Sequence, residues 1–297
     1  MLPAHNRYPF SAITDRPDYS WPDGKRLAFY IALNVEHFAF GESPGSDFTS
    51  VSLPPYHRGY AWRDYGNRVG IWRLLDLFEE LQLPVALLVN GSVYDHCPQV
   101  LEPYRARGDE IVGHGRTNSQ RQGDLPEEEE RALIAEATDI LTRHEGKPPA
   151  GWLGPWISQS MVTPDLLKEA GYSYMLDWHF DDQPIWFSTR AGPLLAVPYP
   201  CMEINDSTAI IYRRASDADF TTIIMDNLDE QLEQSVKQPM VFALSLHTFI
   251  VGQPFRLRQL RRALRHVADH AKDIWLTRPG EIASYVAGLP PGTVPGG

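Results

Sequence analysis

Apolar runs with no polar face recur along this 297-residue chain and alternate with segments of helical periodicity. Residues 27–34 read LAFYIALN, residues 85–91 read VALLVNG, and residues 240–247 read MVFALSLH. A strand that is apolar on both faces is typical of a parallel sheet with helices packed on both sides. The pattern therefore predicts an α/β fold in which strands and helices alternate.

Helical spacing is clearest between these runs. Apolar residues recur at this spacing in residues 69–81 and 220–236, while residues 126–146 begin with a proline and four glutamates and end at a glycine. Because acidic side chains favour the positive end of a helix, the glutamate run indicates a helix start rather than a metal site. Residues 207–214, STAIIYRR, predict a further strand.

The composition excludes several classes of protein. The chain is 43% apolar and 22% charged, as is typical of a globular protein. Its two cysteines, Cys97 and Cys201, are far apart, which excludes a disulfide framework and a thiolate zinc site and fits a reducing compartment. The net charge of -11 would repel phosphate backbones, so the composition excludes nucleic acid as a partner.

The hydropathy of the chain predicts where the protein is located in the cell and how the chain divides into domains. Residues 1–24 are polar and proline-rich, and no run approaches the roughly eighteen apolar residues of a membrane span. We therefore expect a cytoplasmic protein with no membrane partner, with residues 1–24 as an N-terminal arm and residues 25–297 as a single domain. Residues 40–64 predict a long loop that lines or covers a site. The arginines of residues 255–271 predict a solvated helix face or a subunit contact.

Polar side chains stand at four places where parallel strands are expected to end. Ligands collect at the carboxyl edge of such a sheet, so these side chains are the candidates for chemistry. They are Asn34, Glu36 and His37; His114, Arg116 and Asn118; Asp177, His179, Asp181 and Asp182; and His247. Carboxylates and imidazoles that converge in one concave site can both donate and accept protons, as amide hydrolysis requires. We expect Glu36, His114, Asp181 and His247 to line one pocket.

The order of these segments resembles the polysaccharide deacetylase (NodB-homology) superfamily. The resemblance covers roughly residues 27–287 and rests on NVE at 34–36, HGRTN at 114–118, GWLGPW at 151–156, DW and DDQP within 177–184, and LH at 246–247. The segments GHG, DDQPIW and LHTFIVGQPFR are similar to the branch that contains PuuE-type allantoinases, cyclic imide hydrolases and intracellular peptidoglycan deacetylase-like proteins. The resemblance implies a distorted, incomplete (β/α) barrel and a homo-oligomer.

This sequence departs from the metal-dependent members of that superfamily. Where those members carry an aspartate base and then an aspartate ligand, this chain has Asn34 and Glu36. Of their two histidine ligands only His114 is present, because Asn118 stands at the second position, and Leu153 replaces a customary arginine. An asparagine amide is not basic, and its oxygen is a poorer zinc ligand than an imidazole. We therefore expect Glu36, His114 and Asn118 to hold a divalent metal such as zinc weakly, or the chain to use no cofactor.

The leading hypothesis is a hydrolase that opens a small cyclic amide, ureide or imide. Glu36 or His114 would activate water, and His247 would protonate the departing nitrogen. A carboxylate would orient a histidine or hold the small-molecule substrate; the candidates are Asp177, Asp181 and Asp182. The other predicted substrate contacts are Arg116, Trp156, Trp178 and Arg256.

Two alternatives stay open. One is a metal-dependent N-deacetylase of polysaccharide or peptidoglycan, in which Glu36, His114 and Asn118 hold an ion that polarises the acetyl carbonyl. The other is a non-catalytic binding protein that keeps the pocket but has lost the chemistry. The joint retention of Glu36, His114, Asp181 and His247 favours an enzyme over a binding protein.

Overall fold

The computed structural model describes residues 5–41, 57–200 and 202–297, in which strands and helices alternate. The strands are β1 Leu27–Val35, β2 Val85–Val89, β3 Glu110–Gly113, β4 Gly151–Trp152, β5 Tyr174–Met175, β6 Ile185–Phe187, β7 Leu194–Ala196, β8 Met240–His247 and β9 Trp275–Leu276. The helices are α1 His57–Tyr65, α2 Ile71–Glu80, α3 Val93–His96, α4 Glu102–Arg107, α5 Glu127–Glu145, α6 Thr163–Glu169, α7 Asp217–Ser235, α8 Thr248–Val251, α9 Pro254–Asp269 and α10 Pro279–Ala287. Among the described residues, no helix combines the length and apolar content needed to cross a membrane.

The strands form one curled sheet in the order β6-β7-β5-β4-β3-β2-β1-β8, with β9 also paired to β1. Every pairing is parallel except that of β6 with β7. Beyond β8, the Val241 amide donates to the carbonyl of Asp182 at 2.8 Å, and the Ser245 amide donates to that of Ile204 at 3.1 Å. These bonds join β8, at one end of the strand order, to the segments that precede β6 and follow β7 at the other end. The predicted α/β fold, a distorted and incomplete (β/α) barrel, is confirmed.

Burial explains the apolar runs. All nine residues of β1 and all eight of β8 are buried, because β1 lies between β2 and β8 and helices cover the sheet. In register, Asn34 of β1 stands beside Leu88 of β2 and His247 of β8. Directly after β3, the His114 amide donates to the carbonyl of Val89 at 3.1 Å. The strand ends are thereby collected at one edge, as parallel pairing predicts.

The segment 207–214 contradicts its sequence-based prediction. Ser207–Tyr212 forms a π-helical turn rather than a strand. The side-chain oxygen of Asn205 accepts bonds from the Ser207 amide at 3.0 Å and the Ser207 hydroxyl at 2.7 Å, and the Asn205 carbonyl accepts from the Ala209 amide at 2.9 Å. An asparagine that bonds the backbone two residues on starts a turn, and this local bond outweighs the strand preference of the isoleucines that follow.

The predicted loop at residues 40–64 is partly wrong. Residues 42–56 lie outside the described residues, and α1 occupies His57–Tyr65. Two glycines, Gly66 and Gly70, let the following turn lie directly on α8, since a Cβ at Gly70 would overlap the carbonyl oxygen of Thr248. This close approach holds α1 beside the carboxyl edge of the sheet.

We expect Gly70→Ala to lower the free energy of unfolding by about 1–3 kcal/mol, because the added methyl must push apart two packed backbones. Gly288→Ala is the matched control, since the nearest atom to its added Cβ would be the Tyr285 carbonyl oxygen at 3.4 Å. Urea unfolding followed by circular dichroism measures both. Equal stability of the two variants would contradict this account of the contact.

Candidate active site

A cavity of about 210 Å³ opens at the carboxyl edge of the sheet. Its lining comes from strand ends, from α1 and α8, and from the loops after β3, β4 and β7. The polar lining residues are Asn34, Glu36, Arg63, His114, Asn118, Tyr199, Asn205, Ser207, Thr208, Tyr212 and His247, and the apolar walls include Phe38, Trp62, Leu153, Trp156 and Phe249. The cavity therefore brings together residues far apart in the sequence at the edge where parallel strands collect ligands.

Glu36 stands between two histidines in this cavity. Its Oε1 lies 3.6 Å from Nε2 of His114 and 3.7 Å from Nε2 of His247, and it accepts a hydrogen bond from the Asn118 amide at 2.5 Å. Burial alone would raise the pKa of Glu36, but the positive charges around it, that of His247 first among them, outweigh burial and lower that pKa below its ordinary value. Glu36 is therefore an ionised carboxylate although only 7% of the residue is exposed.

A buried aspartate holds His247. Nδ1 of His247 lies 2.6 Å from Oδ1 of Asp206, and the His247 backbone amide donates to Oδ2 of Asp206 at 2.8 Å. Burial opposes protonation of the ring, but the carboxylates of Asp206 and Glu36 outweigh it and raise the pKa of His247 above its ordinary value. Asp206 and Glu36 thus favour the imidazolium form of His247, whose Nε2 lies 3.7 Å from Oε1 of Glu36.

The prediction that Asp177, Asp181 or Asp182 orients this histidine is wrong, because Asp206 does so. The sequence pattern does not single out Asp206, because residues 207–214 predict a strand rather than a turn. The asparagine before Asp206 and the serine and threonine after it favour turns. These residues are the only sign in the sequence that Asp206 precedes a turn.

His114 presents a free nitrogen to the cavity. Its Nδ1 lies 2.7 Å from the carbonyl oxygen of Leu153, and a carbonyl only accepts, so Nδ1 carries a hydrogen. Nε2 of His114 is buried and has no hydrogen-bond partner among the described residues. In the neutral ring this Nε2 is an acceptor 3.6 Å from the Glu36 carboxylate. Two acceptors at this separation suit a water molecule that donates one hydrogen to each.

Hydrogen bonds fix which end of the Asn118 amide faces Glu36. The His37 backbone amide donates to Oδ1 of Asn90 at 2.9 Å, which orients the Asn90 side chain. Nδ2 of Asn90 is then directed to the carbonyl of His114 and to Oδ1 of Asn118, the latter at 3.3 Å. Asn118 is left with its NH₂ group towards Glu36. A donor therefore occupies the position where the superfamily resemblance implies a ligand.

These residues do not fit a divalent metal. Asn118 offers N–H rather than a lone pair, and the Asn34 amide nitrogen donates to the Leu246 carbonyl at 3.0 Å and the Ser245 hydroxyl at 3.2 Å. Of the three predicted ligands, Glu36 and His114 present acceptor atoms to each other, and Asn118 does not. Because a zinc site in proteins takes at least three protein ligands, the predicted set is incomplete. Across the described part of the chain, the one group of three histidine, cysteine or acidic side chains with ligand atoms within 4.8 Å of one another lies outside this cavity.

Trp156 lines the cavity as expected for a substrate contact. Its indole nitrogen donates to the carbonyl of Asn118 at 2.8 Å. Trp156 and Ile157 both have left-handed backbone conformations, with φ of 64° and 54°. Such conformations are unfavourable for bulky side chains and persist only where surrounding contacts hold them, often at functional sites.

The other predicted residues lie elsewhere. Asp181 is not a lining residue of the cavity, because it forms a 2.6 Å ion pair with Arg16 from the segment before β1. Its expected place in the shared pocket is therefore wrong. The other predicted substrate contacts also bind residues that do not line the cavity. The pairs are Asp177 with the Gly154 amide, Trp178 with Gln159, Asp182 with Gln231, Arg116 with Glu136, and Arg256 with Asp217. None of these five predicted substrate contacts lines the cavity.

Arg63 is a lining residue that the sequence analysis missed. It is 4% exposed, and its guanidinium lies 3.9 Å from the centre of the Phe38 ring. It falls in the stretch predicted as a loop, where neither periodicity nor a motif distinguishes one arginine from its neighbours. It adds a guanidinium to the cavity that Glu36 and His247 also line.

An incomplete (β/α) barrel with carboxylate and imidazole side chains at its carboxyl edge is the arrangement found in the polysaccharide deacetylase superfamily. The chain is similar to that superfamily, whose matched members include an allantoinase, a carbon–nitrogen hydrolase. The family model described as polysaccharide deacetylase matches residues 62–175.

Full-length relatives agree with this assignment. The chain is similar to the crystal structure of PuuE allantoinase, with 27% identity, a TM-score of 0.80, and coverage of 91% of this chain and 93% of that one. A probable polysaccharide deacetylase from Pseudomonas aeruginosa is 27% identical, with a TM-score of 0.77 and coverage of 89% and 92%. A putative polysaccharide deacetylase of Schizosaccharomyces pombe is 24% identical over 89% of this chain and 91% of its own.

Replacing Asp206 tests the charge of His247. We expect Asp206→Asn to lower the pKa of His247, because the neutral amide no longer offsets the burial of the ring. NMR titration of the histidine ring resonances measures the shift. Asp182→Asn is the control, since Asp182 does not contact His247. A His247 pKa unchanged by Asp206→Asn would show that another group sets it.

Proposed function

We propose that this protein hydrolyses a carbon–nitrogen bond in the ring of a small cyclic amide, ureide or imide, without a metal ion. The observation that carries the proposal is the cavity, where an ionised carboxylate lies between an imidazole with a free acceptor and an imidazole held charged. Its volume of about 210 Å³ suits a small molecule. The similarity to PuuE allantoinase supports the same substrate class.

The first step is attack by water on the ring carbonyl. A water that donates to Glu36 and to Nε2 of His114 has its oxygen lone pairs free for the carbonyl carbon. We assign the base to His114, because Glu36 already accepts from Asn118 and its pKa is lowered. Glu36 then orients the water and stabilises the imidazolium that forms on His114. The Arg63 guanidinium offers positive charge for the oxyanion that develops at the carbonyl.

The second step breaks the carbon–nitrogen bond. His247 gives its Nε2 proton to the departing ring nitrogen, and the attacking oxygen remains on the carbon as part of a carboxylic acid. Asp206 keeps His247 charged before this transfer. Glu36 lies 3.6 Å from one histidine and 3.7 Å from the other, so it can pass the proton gained by His114 back to His247. The site is thereby reset without an external acid.

A metal-dependent N-deacetylase is the second candidate. The similarity to putative and probable polysaccharide deacetylases favours it, whereas the donor that Asn118 presents to Glu36 opposes it. A non-catalytic binding protein needs no free acceptor at His114 and no aspartate behind His247. The expected homo-oligomer and cytoplasmic location stay predictions of the sequence.

Turnover of cyclic substrates with and without chelator tests the proposal. We expect ring opening of at least one compound among allantoin, hydantoin and succinimide, and we expect that rate to survive EDTA. The measurement is loss of the cyclic compound and appearance of the carboxylate. Release of acetate from N-acetylglucosamine oligomers that EDTA abolishes and zinc restores would favour the deacetylase. Binding of a cyclic compound without turnover would favour the binding protein.

His247→Ala tests the assignment of the acid. We expect a fall in kcat of roughly a hundredfold or more, the usual scale for a lost general acid. His144→Ala, which removes an exposed histidine on α5, is the control and should keep full activity. Circular dichroism separates lost chemistry from lost folding. A folded His247→Ala variant with full activity would remove this residue from the mechanism.

The pH dependence follows from the sign of the His247 shift. Since its pKa is raised, the imidazolium is present below that pKa and is lost as pH rises through it. We expect activity to fall on the alkaline side through the His247 pKa, and Asp206→Asn to move that fall to lower pH. The pH profile of kcat measures it, with Asp182→Asn as the control. An alkaline limb at the same pH in Asp206→Asn and the unaltered protein would contradict the acid role.

A further inference from the structure

Two helices on the outside of the barrel carry a second group of imidazoles and carboxylates. His266 lies in the last turn of α9 and His270 directly follows the end of that helix, with ring centres 5.0 Å apart. Asp229 reaches them from α7, and its Oδ1 lies 2.6 Å from Nε2 of His266. One ligand atom from each of the three residues lies within 4.8 Å of the other two.

We propose that Asp229, His266 and His270 bind a divalent transition-metal ion, with zinc as the expected ion. The rings of His266 and His270 are neighbours at the end of α9, so a single ion can contact both. Imidazole nitrogen with one carboxylate oxygen suits zinc, nickel or copper, whereas calcium and magnesium favour sites made of oxygen ligands. Three protein ligands leave a fourth tetrahedral position for water.

A second carboxylate supports this use of His270. Oδ2 of Asp273 lies 3.4 Å from Nδ1 of His270, where it can accept a hydrogen bond from the ring N–H. Nε2 of His270 is then the ligand atom. Histidine ligands of metals usually donate their other nitrogen to a carboxylate or carbonyl, which fixes the ring orientation. Asp273 is thus a positioning residue for the site.

The geometry needs only a small movement to admit the ion. Zinc lies about 2.0–2.2 Å from nitrogen and oxygen ligands, so two tetrahedral ligands stand about 3.3–3.5 Å apart. Asp229 and His266 must separate from 2.6 Å to that distance. The side chain of Asp229 is 54% exposed, and those of His266 and His270 are 23% and 33% exposed. An exposed aspartate rotates freely, and all three groups are open to an ion from solvent.

The consequence of binding is structural. The ion would join α7 to α9, the helices that come immediately before and after the β8–α8 segment carrying His247. It stands apart from the cavity, so it stabilises the fold without entering the reaction. It also means that metal found in the purified protein need not lie in the cavity. The inference is independent of the proposed function.

Zinc titration of the full-length protein, freed of metal by chelation and dialysis, tests the proposal. By calorimetry we expect one site per chain, and a rise in Tm of a few degrees at saturating zinc because the ion binds only the folded state. His266→Ala and His270→Gln should each weaken binding at least tenfold and remove most of the rise in Tm. His144→Ala and His114→Ala are the controls and should bind zinc as the unaltered protein does.

Three results would overturn the proposal. The first is zinc binding that is unchanged in both His266→Ala and His270→Gln. The second is binding that His114→Ala abolishes, which would place the ion in the cavity. The third is no binding by the unaltered protein at millimolar zinc. Circular dichroism confirms that each variant is folded before titration, and the second substitution guards against misfolding of the first.

Discussion

A carboxylate that is both buried and charged is the constraint on which the rest of the cavity depends. Removing a charge from water is costly unless opposite charges and donors surround it. Glu36 meets this requirement with the Asn118 amide and the His114 and His247 rings. His247 can carry charge there only because Asp206 lies behind it. Removing any one of these groups leaves another uncompensated, so the cavity functions as a unit.

Charge balance also explains why the departures from the metal-dependent pattern occur together. A divalent ion would add two positive charges, and an aspartate at position 34 or a histidine ligand at 118 would suit that environment. Here Arg63 and His247 already place positive charge beside Glu36. Asn34 and Asn118 are neutral, and their hydrogen bonds to Leu246 and Glu36 direct N–H groups where a metal would need lone pairs. Both asparagines therefore make the cavity less suited to a divalent ion.

Sequence patterns could predict the residues whose position follows from the strands. Glu36, His114 and His247 end parallel strands, and register alone brings such ends to one edge. Asp206 and Arg63 follow no strand directly: one precedes a turn started by Asn205, and the other lies on a helix held by the contact of Gly70 with α8. Asp181 fails for the opposite reason, since it follows a strand but pairs with Arg16. Contacts between segments distant in sequence have no periodicity that a pattern could reveal.

The two histidine groups of this protein differ in what holds the second nitrogen of each ring. In the cavity, the Leu153 carbonyl holds His114 and the buried Asp206 holds His247, so that Nε2 of each ring faces Glu36. Both histidines are buried. At the end of α9 the side chains of His266 and His270 are partly exposed, and an ion from solvent would reach both. Rigid, desolvated imidazoles favour proton transfer to a bound molecule, because the geometry is set before the reaction. Mobile, hydrated imidazoles favour metal binding, because the ion itself can impose the geometry. In the two proposals, the same residue types would therefore support catalysis in one place and ion binding in the other.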